Sequence, residues 1–217
     1  MDQVEFRHIA IEGMIKSNKT VLANALARRM GGKVMLDKAE NPYLKDFYDE
    51  KEGGAFLAQL VFLVNRYHQQ SRMLQRSLFD ERIICDYLFE KDKIYAYQTL
   101  SDDELIVYEK IYSVFRERVA KPDLVIFLQV AMPTILRRIS KTGSVLEKNI
   151  SEKYLEDIMQ AFDYFFFNYQ SAPLLVIKSD DLDFSRDEHV DDIIEKIQDM
   201  KKSPLYYVPL GPQHKKK

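Results

Sequence analysis

The sequence predicts an α/β fold, a parallel β-sheet with helices on both faces, in one domain spanning residues 1–217. Three observations carry this. Five short apolar runs, HIAIEG (8–13), KVMLD (33–37), RIICDY (82–87), DLVIFLQV (123–130) and PLLVIKS (173–179), are β-branched and lack alternation, as strands covered on both faces should be. Helical stretches separate them, so the crossovers are right-handed βαβ connections. No repeat, low-complexity tract or Pro/Gly-rich linker divides the chain, and 217 residues suit one well-buried core.

The helices follow in order. LANALARRM (22–30) is stopped by Gly31-Gly32, as a C-terminal cap requires. Residues 54–79 form a long amphipathic segment. Residues 102–119 begin with Asp and Glu after Ser101, a good N-cap arrangement. Residues 151–169 open on Ser-Glu-Lys-Tyr and end in FDYFFFNY. Its stripe of Phe162, Phe165, Phe166 and Tyr169 has helical spacing and no interleaved basic residues, so it reads as core and not as a base-stacking platform. A last helix covers about 188–201. Residues 202–217 read as a C-terminal tail whose closing lysines are solvated.

Composition excludes several classes of function. The formal net charge of −2 gives no basic field for nucleic acid. The single cysteine, Cys85, lies in an apolar run, forms no internal disulfide and suits a reducing cytoplasm. The N-terminus lacks a signal-peptide pattern, and no apolar run approaches the roughly 20 residues of a membrane span. His68 and His189 have no metal-ligand spacing around them.

The chemistry concentrates between the first strand and the first helix. IAIEGMIKSNKT (9–20) places Gly13, four residues, then Asn18-Lys19-Thr20. The pattern G-x-x-x-x-G-K-[ST] uses backbone N–H groups to cradle phosphates, a lysine to reach the outer phosphates and a hydroxyl to hold Mg²⁺. Gly13, Lys19 and Thr20 match it; the second glycine is Asn18. Asn tolerates the left-handed backbone better than any other non-glycine residue, so the loop is expected to form with the Asn18 side chain turned from the phosphates. The strand–loop–helix context predicts a three-layer P-loop NTPase fold with sheet order 2-3-1-4-5, and a nucleotide site of Gly13, Lys16, Ser17, Asn18, Lys19 and Thr20.

ENPYLKDFY (40–48), FLAQLVFLVNRYHQQ (56–70), CDYLFEKDKIYA (85–96), PDLVIFLQV (122–130), RRISKTGSVLE (137–147), LLVIKSDDLDF (174–184) and YYVP (206–209) together resemble deoxynucleoside kinases of the bacterial deoxyadenosine/deoxyguanosine type. A thymidylate-kinase-like reading fits ENPYL and DYLFEK less well. The resemblance implies that the 5′-hydroxyl of a deoxynucleoside, a purine one by preference, attacks the γ-phosphate of ATP with Mg²⁺ on Thr20. It also implies a cytoplasmic homodimer, formed through helices 54–79 and 102–119 with Val61, Leu63, Val64, Ile106 and Ile111.

Roles follow from the same resemblance. A general base stands six residues before the proline of Asn41-Pro42, which falls on Leu36; Asp37, one residue on, takes the role, with Glu12 a poorer option. Lys16 stands where the family has glycine. The lid keeps Arg138, Gly143 and Glu147, but Thr142 and Ser144 occupy two arginine positions that Arg137, Arg138 and Lys141 replace in part. Asp181 and Asp183 fall on the nucleotide side. Gln59 and Arg66 read the nucleoside, Asp86 sits at a strand end, and Tyr43 and Phe89 supply apolar walls. Tyr87 stands where the family has arginine, with Lys91 one turn on. Catalysis therefore rests on Lys19, Asp37 and Arg138. Because the departures cluster on the ATP side, two readings stay open: a slowed kinase, or a non-catalytic nucleoside- or partner-binding member of the fold.

Overall fold

A computed structural model describes residues 5–38, 40–76, 82–200 and 204–209. Nine helices and six strands lie among them, in the order β1 (His8–Gly13), α1 (Lys19–Met30), β2 (Lys33–Met35), α2 (Leu44–Tyr48), α3 (Gly54–Arg76), β3 (Ile83–Cys85), α4 (Lys91–Thr99), α5 (Asp102–Arg116), β4 (Leu124–Gln129), α6 (Met132–Thr142), α7 (Val145–Lys148), α8 (Glu152–Phe167), β5 (Leu174–Lys178), α9 (Asp187–Gln198) and β6 (Leu205–Tyr207). The strands form one sheet, β2-β3-β1-β4-β5-β6, parallel throughout. The expected order of five strands is present, and a sixth is added. Residues 205–207, read as part of a tail, pair with β5 through Leu175, Val176 and Ile177.

β1 is central because all of its residues are buried, His8 and Glu12 included. Ile9 and Ile11 join Leu22, Leu26, Val190 and Ile193 in the core under α1 and α9. Ala10 faces the opposite core with Val125, Phe127, Ile158 and Phe162 under α6 and α8. Full burial of each aliphatic side chain contributes about 1.5–3 kcal/mol. The aromatic stripe is core, as expected: Phe127 and Phe166 stack with ring centroids 4.1 Å apart, and Phe162, Phe166 and Tyr169 are buried. A third cluster joins α3, α4 and α5 through Leu63, Phe89, Ala96, Tyr108 and Tyr112.

The caps explain most boundaries. Gly31 ends α1 at φ 72°. Ser101 and Glu104 form a reciprocal capping box at the start of α5. The short helices α2, α4, α6 and α7 have no counterpart in the sequence reading; each is four to eleven residues long, below the length where periodicity is distinctive. Expectations for 77–79, 201 and the closing lysines fall outside the described residues. No helix among the described residues is long and apolar enough to cross a membrane.

Candidate active site

The loop leaving β1 carries the backbone conformation that the sequence demanded. Asn18 is left-handed (φ 67°, ψ 24°) and caps α1, whose first residue is Lys19. Lys16 is also left-handed, at φ 59°. Gly13 has no substitute: a Cβ there would lie 2.7 Å from Ser17 Oγ and 2.8 Å from the Leu128 carbonyl. Ser17 is buried and its Oγ has no hydrogen-bond partner. A tight loop at a helix N-terminus, with an orphaned hydroxyl inside it, is a concavity suited to an anion. Lys19 Nζ is meanwhile held by the carbonyls of Gly13 (2.9 Å) and Met14 (3.2 Å). Burial lowers the Lys19 pKa, with nearby Glu12 pulling the other way.

From Thr20 a chain of polar contacts runs into the molecule. The Thr20 hydroxyl donates to Asp86 Oδ2, and the Asp37 N–H donates to Asp86 Oδ1 at 2.6 Å. Asp37 itself accepts from Arg66 Nε (3.0 Å), Arg66 Nη2 (2.8 Å) and Lys91 Nζ (2.7 Å). Arg66 Nη1 then donates to Asp92, which is fully buried. The Arg66 guanidinium also lies 5.0 Å over the Phe62 ring, and Lys91 Nζ lies 5.9 Å from the Tyr87 ring centroid.

Charge in this network is set by competition between burial and partners. Burial would raise the Asp37 carboxyl, but Lys91 and Arg66 outweigh it and hold Asp37 well below the usual carboxylate range. Asp92 is the reverse case: burial dominates, and its pKa is raised to about 6 despite Arg66 and Lys91. Burial opposes the Arg66 charge, and Asp92 and Asp37 restore it. Cys85 is buried beneath this network as a free thiol, pushed up by burial and then by Asp86.

The positions weighed for the base now separate. Leu36 is 42% exposed, whereas Asp37 turns inward to Arg66. β2 ends at Met35, two residues earlier than expected, so Asp37 escapes the alternation of a strand. Glu12 is fully buried and accepts from the Gly13 and Leu88 N–H groups at 2.9 Å each, a backbone-bracing role.

Other expected site residues lie apart from this network. Phe89 packs into the α3–α4–α5 core, stacked on Tyr112, and not into the network. Tyr43 is the N-cap residue of α2, held by an Asn41 turn. Gln59 is buried and donates to Thr99 at 3.3 Å. Asp181 borders a cleft of about 780 Å³ beyond β5, and Asp183 bonds Ser185 and His189 within its own loop. Arg138 reaches the phosphate loop: it donates to the Lys16 carbonyl (2.9 Å) and the Asp180 carbonyl (3.3 Å).

Two residues of the network escaped sequence reasoning. Asp92 was hidden inside EKDKIYA, where an acid in a short helix reads as surface. Phe62 was hidden inside an apolar helical run. Glu147, noted only as a retained lid residue, turns out to touch the phosphate loop through Lys16.

A parallel α/β sheet with a tight loop between β1 and α1, and a buried acid–cation cluster beside that loop, defines the class of fold. The comparisons sharpen that class. The deoxynucleoside kinase family model matches residues 9–202, and the chain belongs to this family. It is 35% identical over 182 residues to deoxyguanosine kinase of Bacillus subtilis, covering 81% of this chain and 88% of that protein. It is 27% identical over 196 residues to deoxyadenosine/deoxycytidine kinase of the same organism, covering 87% and 90%. Among solved structures, deoxyadenosine kinase from M. mycoides with dCMP and dCDP bound superposes with a TM-score of 0.73 at 23% identity, covering 88% of this chain and 99% of that one. The same enzyme with dATP bound gives 0.71 at 24% identity, covering 87% and 97%. At such identity the structures establish the shared fold.

Proposed function

We propose that this chain phosphorylates the 5′-hydroxyl of a purine deoxynucleoside with ATP, in the cytoplasm and as a homodimer. The observation that carries the reading is the unbroken polar path from the phosphate loop, through Thr20, Asp86 and Asp37, to Arg66, Lys91 and Asp92. Family membership and the 35% identical deoxyguanosine kinase support the class of reaction and the purine preference.

The residues suit each part of the chemistry. The loop N–H groups and Lys19 bind and orient the phosphates, and Arg138 braces the loop from the lid side. Thr20 and Asp86 form a hard oxygen pair fit for Mg²⁺. When bound, that ion neutralises charge on the transferring phosphoryl group. Arg66 and Asp92, which now bond to each other, would offer a donor and an acceptor to a purine base once that base separates them. Asp37 takes the 5′-hydroxyl proton as the new P–O bond forms and the bond to the ADP leaving group breaks. For this, Asp37 must exchange its two cations for the hydroxyl, so nucleoside entry opens the Asp37–Arg66–Lys91 cluster.

That last requirement favours a second reading, a non-catalytic nucleoside-binding protein, because a carboxylate stabilised by two cations is a weak base. Steady-state assays of ADP release with each of the four common deoxynucleosides decide between them. Turnover with deoxyguanosine or deoxyadenosine is expected. Nucleoside binding without turnover in any of the four would leave the second reading standing. A homodimer is checked by sedimentation; Ile106, Val107 and Val114 of α5 are exposed and available for such a face.

A further inference from the structure

We propose that Lys16 supplies the phosphate-facing charge for which the lid lacks arginines, and that Glu147 holds this lysine in reserve until nucleotide arrives. The inference rests on the kinase reading above and concerns how that site binds ATP.

Four observations on the chain itself lead there. A lysine at φ 59° is a strained choice in a loop where glycine would cost nothing, of order 1–3 kcal/mol, and such strain persists at functional positions. Its Nζ leaves the loop and crosses to the lid, 3.0 Å from Glu147 Oε2 and 3.4 Å from the Thr142 carbonyl. Three other cations near the loop are engaged within the protein: Lys19 with the Gly13 and Met14 carbonyls, Arg138 with the Lys16 and Asp180 carbonyls, and Lys91 with Asp37. The Lys16–Glu147 pair is partly exposed, 22% and 24%, so it is held by less than about 1 kcal/mol.

These facts give the exchange a direction. Glu147 is fixed by the α7 capping box, in which its Oε2 accepts from the Ser144 N–H at 2.6 Å and its own N–H donates to Ser144 Oγ. Lys16 is a flexible ammonium on a four-carbon stem. Between them the lysine is the partner that moves. A polyphosphate in the loop carries several negative charges close to the Lys16 backbone, against one on Glu147, so the ammonium transfers from carboxylate to phosphate. Thr142 and Ser144 stand where the resemblance places arginines, and Lys16 reaches the same gap from the opposite side.

Lys16→Met, Glu147→Gln and Lys16→Met/Thr142→Arg test the exchange; glutamine retains the capping box. Calorimetric titration with Mg-ATP alone, without nucleoside, reads binding, and steady-state kinetics read kcat and KM separately. Lys16→Met is expected to weaken Mg-ATP binding about 5-fold and lower kcat about 10-fold, the size of losing one charge-assisted contact. Glu147→Gln is expected to tighten Mg-ATP about 3-fold, because no resting pair has to be broken. The added Thr142→Arg is expected to recover most of the lost kcat. Affinity changes of the same sign in Lys16→Met and Glu147→Gln would overturn the proposal, as would failure of Thr142→Arg to rescue. A wild-type chain that binds Mg-ATP yet never phosphorylates would overturn only the kinase reading, since the two binding results still decide the exchange.

Discussion

The two halves of the site are built on opposite electrostatic terms. In the inner half, Arg66 and Lys91 are almost fully buried and share Asp37, Asp92 and, at 3.8 Å, Glu12. In the outer half, Lys16 of the β1–α1 loop and Glu147 of α7 form a partly exposed pair. Buried charges are costly to uncover one at a time, because removing one partner leaves the other desolvated and alone. Exposed pairs separate at little cost. The inner half therefore opens only where an incoming group replaces the contacts it breaks, and the outer pair separates more freely.

The sharpest break of this contrast is Arg66→Met. It leaves Asp92 buried without a partner, and a stability loss of about 3–5 kcal/mol is expected in urea unfolding. Lys16→Met, in the outer half, should shift the same midpoint by less than about 1 kcal/mol. Comparable losses in the two variants would erase the distinction.

Asp37→Asn tests the inner half as chemistry. Arg66 keeps Asp92 and Lys91 keeps Glu12 at 3.8 Å, so a destabilised but folded protein is expected, with kcat down about 10³-fold, within the range for a general base. An unchanged kcat would move the base elsewhere.

The outer half is the place to gain rate. Asn18→Gly with Thr142→Arg and Ser144→Arg should raise turnover about 100-fold, or about 2.8 kcal/mol in the barrier. Thr142→Arg should carry most of this. Asn18 already holds the left-handed backbone that glycine would adopt, and Ser144 caps α7, so its replacement costs about 1 kcal/mol locally. Adding Asp37→Asn to the triple variant should abolish the gain.

The smallest effect is a pH slope. Asp92 has its pKa raised from 3.8 to about 6, so between those values the folded protein keeps a proton that the unfolded chain has released. Stability contributed by this group thus falls as pH rises through that window. Asp37 acts oppositely: its lowered pKa adds stability above its unfolded value, lost as pH falls. Unfolding midpoints from pH 3.8 to 6 should therefore flatten in Asp92→Asn by on the order of 1–3 kcal/mol. A slope unchanged by that substitution would mean Asp92 is not the group that titrates.

Sequence alone determined the parts of this protein that depend on local pattern. Apolar runs such as IAI in β1 and LVIFL in β4 are buried strands because neither face offers a run of polar side chains to solvent. The loop Gly13–Thr20 lies between strand and helix because Gly13 leaves room for Ser17 and the Leu128 carbonyl while Asn18 takes the left-handed backbone, and Ser101 starts α5 because its hydroxyl meets the Glu104 N–H. What depends on distance along the chain was decided only by tertiary structure. Asp37, Arg66, Lys91 and Asp92 form one cluster because β2, α3 and α4 converge there, although Asp37 and Lys91 lie 54 residues apart in sequence. The same holds for Lys16 and Glu147, brought together by a lid whose short helices have no periodic signature, and for β6, three residues whose strand character exists only because β5 offers an open edge. A side chain's charge, burial and partner are properties of the neighbours that folding delivers, and no window of sequence contains those neighbours.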